Sequence, residues 1–132
     1  MDFPLESIHK LAVKAAEVCN CAGEQGKYWE MHDRLFANQK ALEPWTAHAE
    51  ALGLDLKQFE ECVGSGRQEP EVRSDMAQAE KAGVTGTPTF FLGYTDPKDT
   101  RIKTVFRLTG AQPYARIKAA IDKLLAEQPE AK

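Results

Sequence analysis

The sequence predicts an α/β chain that is mostly helical, with one β-hairpin late in the chain. Three observations carry that reading. Through about residue 82, apolar residues recur at helical spacing in segments divided by Gly and Pro. At Gly83 the pattern changes: a β-branched and aromatic run covers Thr87 to Leu92, and a second covers Thr104 to Leu108. After Gly110, Pro113 opens a last stretch with helical spacing.

Taken in order, Leu5 to Gly23 reads as a first helix, with Ile8, Leu11, Ala15 and Cys19 on one face and Gly23 as its stop. Glu24 to Gln39 follows, where Tyr28, His32 and Leu35, and Trp29 with Phe36, fit the helix period. Pro44 suits the first turn of a short helix through Leu52, closed by Gly53. Asp55 is placed to cap a fourth helix carrying Leu56, Phe59, Cys62 and Val63, stopped near Gly64. A fifth runs from about Glu69 to Ala82 with Val72, Met76 and Ala79 along its face. The two strands flank a polar loop, Gly93 to Lys103, and read as an antiparallel pair. The last helix turns Ile117, Ile121, Leu124 and Leu125 inward, and the tail Ala126 to Lys132 reads as frayed.

The 132 residues fit one domain, 1–132. A hydrophobic share of 42% against 28% charged residues is that of a globular chain. Net charge is −3 with Lys and Arg scattered, so nucleic acid is not an expected partner. No apolar run has the length of a membrane span. "MDFPLESIHK" has neither a basic n-region nor a long apolar h-region, so it does not read as a signal peptide. Three cysteines leave at least one outside any intrachain pairing, and two far apart allow a structural disulfide in an exported chain.

The strand that opens on Thr87-Pro88 poses a question, because proline cannot donate a ladder hydrogen bond. A cis bond there, bending the chain to present something, is one answer. A two-stranded hairpin also leaves two outer edges unpaired, and an apolar edge invites another chain.

"DFPL", "CAGEQGKYWEMHDRLFANQ", "ALGLDLKQFEECVGSGR", "GVTGTPTFFLG" and "GAQPYARIKAAID" resemble, in that order, the DsbA-like thioredoxin-fold family of thiol:disulfide oxidoreductases, from Asp2 to about Leu125. The resemblance implies a thioredoxin-like fold with an inserted helical domain at 5–82, and a hairpin and C-terminal helix at 84–126. It makes Thr87-Pro88 the cis-proline loop, with Thr87 presenting its backbone to an extended peptide or an active-site disulfide. It also implies a cell-envelope location; a true start at Met1 would imply the cytoplasm. The family's catalytic Cys-x-x-Cys does not occur here. Relative to the family pattern, the N-terminal strands and active-site helix are missing.

Cys19 and Cys21 are the candidates for a substitute Cys-x-Cys redox pair. Residues two apart on a helix point to nearly opposite sides, so that bridge requires the helix to end there. The resemblance instead implies that Cys21 and Cys62 form a structural disulfide or pack as thiols, with Cys19 left as a small buried hydrophobe. A metal site of His32 with the three cysteines matches no common zinc spacing, so His32 reads as a core or boundary residue, and neither metal nor cofactor is expected. His9 and His48 read as surface residues. Trp29, Phe36, Trp45, Phe59, Phe90 and Phe91 read as core or as lining a peptide groove, with an uncovered apolar patch near Phe90 and Phe91. Glu24, Lys27, Glu30, Asp33 and Arg34 read as a solvated helix face.

Four functions compete. The first is the family's oxidoreductase activity on protein substrates. The second is a non-catalytic module that binds peptide, or forms a homodimer through strand 87–92. The third is part of a longer oxidoreductase whose chemistry lies upstream. The fourth is an isomerase or transferase of the glutathione-using branch.

Overall fold

Glycine and proline set most of the element boundaries. A computed structural model of the chain describes residues 1–95 and 102–127. The chain divides into two compact units, Met1–Gly83 and Val84–Lys132.

The first unit holds five helices: α1 (Ala12–Gly23), α2 (Tyr28–Ala37), α3 (Trp45–Ala51), α4 (Leu56–Ser65) and α5 (Glu69–Lys81). α1 packs against α2, α4 and α5, and α3 packs against α2 and α4. Val18, Ala22, Met31, Phe59 and Val72 are almost fully buried. Lys14 fastens α1 to α4: its Nζ donates to the buried Glu17 carboxylate at 3.0 Å and to the Val63 carbonyl at 2.9 Å. The Asp55 side chain accepts from the Gln58 amide at 2.9 Å and so caps α4, satisfying an orphan N–H of its first turn.

Several boundaries depart from the expectation. α1 begins at Ala12, not Leu5, because residues 5–11 form successive turns in which the Ile8 and His9 amides both bond the Leu5 carbonyl. Ile8 is therefore 68% exposed, outside the apolar face assigned to it. α4 runs past Gly64 and ends at Gly66, whose φ of +65° provides the left-handed cap. His48, expected at the surface, is buried. Arg34 Nε donates to its Nδ1 at 3.2 Å, so the ring proton lies on Nε2, which donates to the Ala41 carbonyl at 3.1 Å.

The second unit holds β1 (Thr89–Thr95), β2 (Ile102–Thr109) and α6 (Tyr114–Ala126). Both strands extend into the stretch expected to be loop; that loop's centre, 96–101, and the tail 128–132 lie outside the described residues. The strands are antiparallel, pairing Phe90 with Leu108, Phe91 with Arg107 and Leu92 with Phe106. Leu92, Tyr94, Phe106 and Leu108 share the face that meets α6, where Tyr94 donates to the Leu124 carbonyl at 2.9 Å and Lys123 lies 5.6 Å from the Phe106 ring. Only Leu124 of the expected inward set is buried on α6, and Leu125 is 64% exposed.

The register slips between Leu92 and Gly93, leaving Val105 as the extra residue of a bulge. Gly93 is required there by close approach: a Cβ at that position would overlap the backbone of Lys103 and Thr104. Gly93→Ala should therefore destabilise the hairpin by roughly 1–3 kcal/mol. Hydrogen exchange should show the loss concentrated in β1 and β2; unchanged protection there would contradict the overlap.

Candidate functional site

The cysteines and the Thr87-Pro88 loop are the two places where sequence pattern pointed to chemistry, and they lie in different units. Cys19 and Cys21 occupy the last turns of α1, and Cys62 lies in α4. Cys21 and Cys62 are joined by a disulfide with Cα atoms 5.8 Å apart, and each residue is 1% exposed. Cys19 is a free, buried thiol. Burial, and then the Asp2 carboxylate, push it up to about 12. At neutral pH it is a thiol with negligible thiolate, unfit as a nucleophile or metal ligand. The structure thus does not bring Cys19 and Cys21 together as a redox pair.

The charged residues near the disulfide are not simply a solvated face. Glu24 follows α1 directly. It accepts from Arg67 through Nε at 3.0 Å and through a guanidinium NH₂, and from the Gln68 amide at 2.6 Å. Its Oε1 lies 3.5 Å from Cys62 Sγ, so this clamp lies over the disulfide. The Arg67 hydrogen bond, followed by that from Gln68, lowers the Glu24 carboxyl to about 2. No sequence signal paired Glu24 with Arg67, 43 residues away; only the fold does so.

In the second unit the Thr87–Pro88 peptide bond is cis, and both residues are exposed. The loop is held from within: Thr89 Oγ1 donates to the Gly86 carbonyl at 2.7 Å, and the Gly110 amide donates to the Pro88 carbonyl at 2.8 Å. Among the described residues the Thr87 main chain has no hydrogen-bond partner. The sheet there has two strands, so the second edge of β1 has no ladder partner among them.

The aromatic residues divide sharply. Phe59 is buried, and Trp45 with Phe59, Pro44 and Val63 lines a shallow cleft of about 370 Å³ rimmed by Glu43 and Glu60. Phe90 is 38% exposed and Phe91 half-buried beneath the Arg107 guanidinium. Trp29 and Phe36 are far more exposed, at 68% and 63%. His32 sits between them on α2, its ring centroid 5.4 Å from Trp29 and 4.6 Å from Phe36, its Nδ1 2.9 Å from Asp33 Oδ1. Among the described residues no group of three or more His, Cys, Asp or Glu is placed to hold a metal ion.

The family described as the DSBA-like thioredoxin domain matches residues 1–122. The chain belongs to that family. DSBA-like domains form a thiol–disulfide oxidoreductase-like family, and this member is mostly helical with a two-stranded antiparallel sheet among its described residues. The DSBA-like chain is also similar to stretches of larger proteins. It is 43% identical over 92 residues to Na(+)/H(+) antiporter NhaA 1 of Salinispora arenicola, covering 68% of this chain and 14% of the antiporter. It is 40% identical over 95 residues to Na(+)/H(+) antiporter NhaA 1 of Mycobacterium sp. (strain KMS), covering 68% and 15%. With Na(+)/H(+) antiporter NhaA of Herminiimonas arsenicoxydans the identity is 36% over 80 residues, covering 59% and 13%. The chain thus spans less than a sixth of the length of these relatives. No solved structure is significantly similar to it.

Two predictions follow from the cysteine region of this DSBA-like domain. The disulfide links residues 41 apart, so Cys21→Ser with Cys62→Ser should lower unfolding stability by roughly 3–4 kcal/mol in urea denaturation, on the chain-entropy argument. Glu24 has a folded pKa near 2 against an ordinary 4.5, so its stabilisation is complete above pH 4.5 and is lost as pH falls towards 2. Its side chain is 31% exposed, so solvent screens the effect. Glu24→Gln should lower Tm by roughly 1–4 °C at pH 6, and the two melting curves should converge near pH 2.

Proposed function

We propose that this chain is the polypeptide-docking part of a DSBA-like thiol–disulfide module and that its own cysteines perform no redox chemistry. Thiol–disulfide exchange requires a thiolate to attack one sulfur of a disulfide. A new S–S bond forms and the other sulfur leaves as thiolate. The state of the cysteines carries the reading. Cys19 stays protonated, and the Cys21–Cys62 sulfurs are closed to an incoming thiolate by burial. What the chain does offer is backbone. Thr87 is exposed with an unengaged main chain, and beyond it runs the open edge of β1, on which an extended polypeptide can add as a strand. Ion transport is not carried over from the antiporters. The matched stretch is a small part of them, and no helix among the described residues is long and apolar enough to cross a membrane.

The test has two arms. Insulin reduction by dithiothreitol should run at its background rate with this chain, and equally with Cys19→Ser and Cys21→Ser. Acceleration that either substitution abolishes would restore the enzyme reading. In the second arm, reduced and alkylated insulin B chain should slow hydrogen exchange in Thr87–Thr95; no change there would remove the docking role.

A further inference from the structure

The cleft in the first unit forms where the start of α3 packs on α4. On α4, Phe59 and Val63 lie one turn apart on one stripe, and Glu60 and Gly64 on the next. Phe59 is buried, and Gly64 supplies no side chain to close the stripe: a Cβ there would meet no atom within 4 Å. Pro44 and Trp45 line the α3 side, with Trp45 half-buried against the core. The space of about 370 Å³ is at the lower end of the roughly 300–1,000 Å³ usual for small-molecule sites.

Its electrostatics favour a cation. Glu43 and Glu60 are both exposed, with no ion pair or side-chain hydrogen bond among the described residues. α4 ends at the cleft with no basic residue in its last turn, so its partly negative carbonyl end adds to theirs. Lys14 engages one of those carbonyls, at Val63, and is itself matched by Glu17. α3 begins at the cleft, but it has only seven residues, and Glu43 offsets its positive end. Residues 1–83 contain 15 acidic and nine basic side chains, a net charge of −6, so the field of the whole unit attracts cations. The lining itself is largely apolar. A primary ammonium would bring three N–H donors to a surface with few acceptors. A quaternary ammonium has no N–H to satisfy. Its methyl groups can pack on apolar walls while aromatic rings and carboxylates attract its charge.

We infer that this cleft binds a small quaternary ammonium cation, held by Trp45 and Phe59 and oriented by Glu43 and Glu60. The site lies within one unit and shares no residue with the Thr87 loop or the cysteines, so it stands or falls separately from the docking role.

Choline, titrated at constant ionic strength into the isotope-labelled chain, should move the NMR signals of the Trp45 indole, Val63 and Gly64 along one saturable curve, with a Kd on the order of 1 mM. Dimethylbutanol, its uncharged carbon isostere, should bind roughly tenfold more weakly. Glu43→Gln with Glu60→Gln should weaken choline binding by roughly fivefold or more. Gly64→Leu, which adds bulk in open space, should weaken it by roughly tenfold. These three positions are exposed, and circular dichroism matching the unsubstituted chain would show that the folds are intact. The absence of saturable shifts with choline overturns the inference. So does equal affinity for the two isosteres, or choline binding that survives both the glutamate and the glycine substitutions.

Discussion

Joining Cys21 to Cys62 fixes the end of α1 against α4, and the first unit is organised about that point. α1 is a weak helix on its own terms. It has no side-chain N-cap, no acidic residue in its first turn and no basic residue in its last. Its position comes from packing and from ties to α4: the disulfide near one end and Lys14 to the Val63 carbonyl near the other. Held at both ends, α1 can present Val18 and Ala22 to Met31 and Phe59 without polar residues intervening. The Glu24–Arg67–Gln68 clamp extends the same junction outward, linking the residue after α1 to the turn before α5.

That arrangement also sets the surroundings of the cysteines. A reactive thiol needs partial exposure and positive potential. Here burial is the largest influence on Cys19, and the formal charge acting on it is the negative one of Asp2. Both push towards the protonated form. The carboxylate beside Cys62 would likewise oppose an approaching thiolate. All three cysteines lie in the core of the first unit.

What the sequence made legible were features written in local chemistry. The Asp55 cap, Gly53 and Gly83 just past α3 and α5, Pro113 before α6 and the change of pattern at Gly83 each act within a few residues, and each sits where periodicity and turn chemistry put it. The cis-proline position and the Cys21–Cys62 pairing came from resemblance to a family, since neither can be read from spacing. Other features depend on distant partners. Ile8 fits a helix period with Leu11 and Ala15, but the turns bonded to the Leu5 carbonyl remove it from that helix. His48 looks polar, yet Arg34 and the Ala41 carbonyl satisfy both ring nitrogens and allow burial. Trp29 and Phe36 match Met31 and Leu35 in hydrophobicity, and only the placement of α1 decides which side of α2 is inward.

The two edges of the hairpin end up unlike each other for a reason that begins at Gly93. Without a Cβ there, β2 can come close enough to insert an extra residue, and the inserted residue is Val105. A bulge bends its strand and re-aims the side chain it carries. It also breaks the even ladder that would make β2 a template for another strand, which is a known way of blunting an edge. On β2, Val105 and Ile102 are both left partly exposed. β1 keeps a regular run of backbone from Thr89 to Leu92, following the exposed Thr87 and Pro88. One glycine therefore makes the two strands of the sheet unlike, β2 bulged and β1 regular.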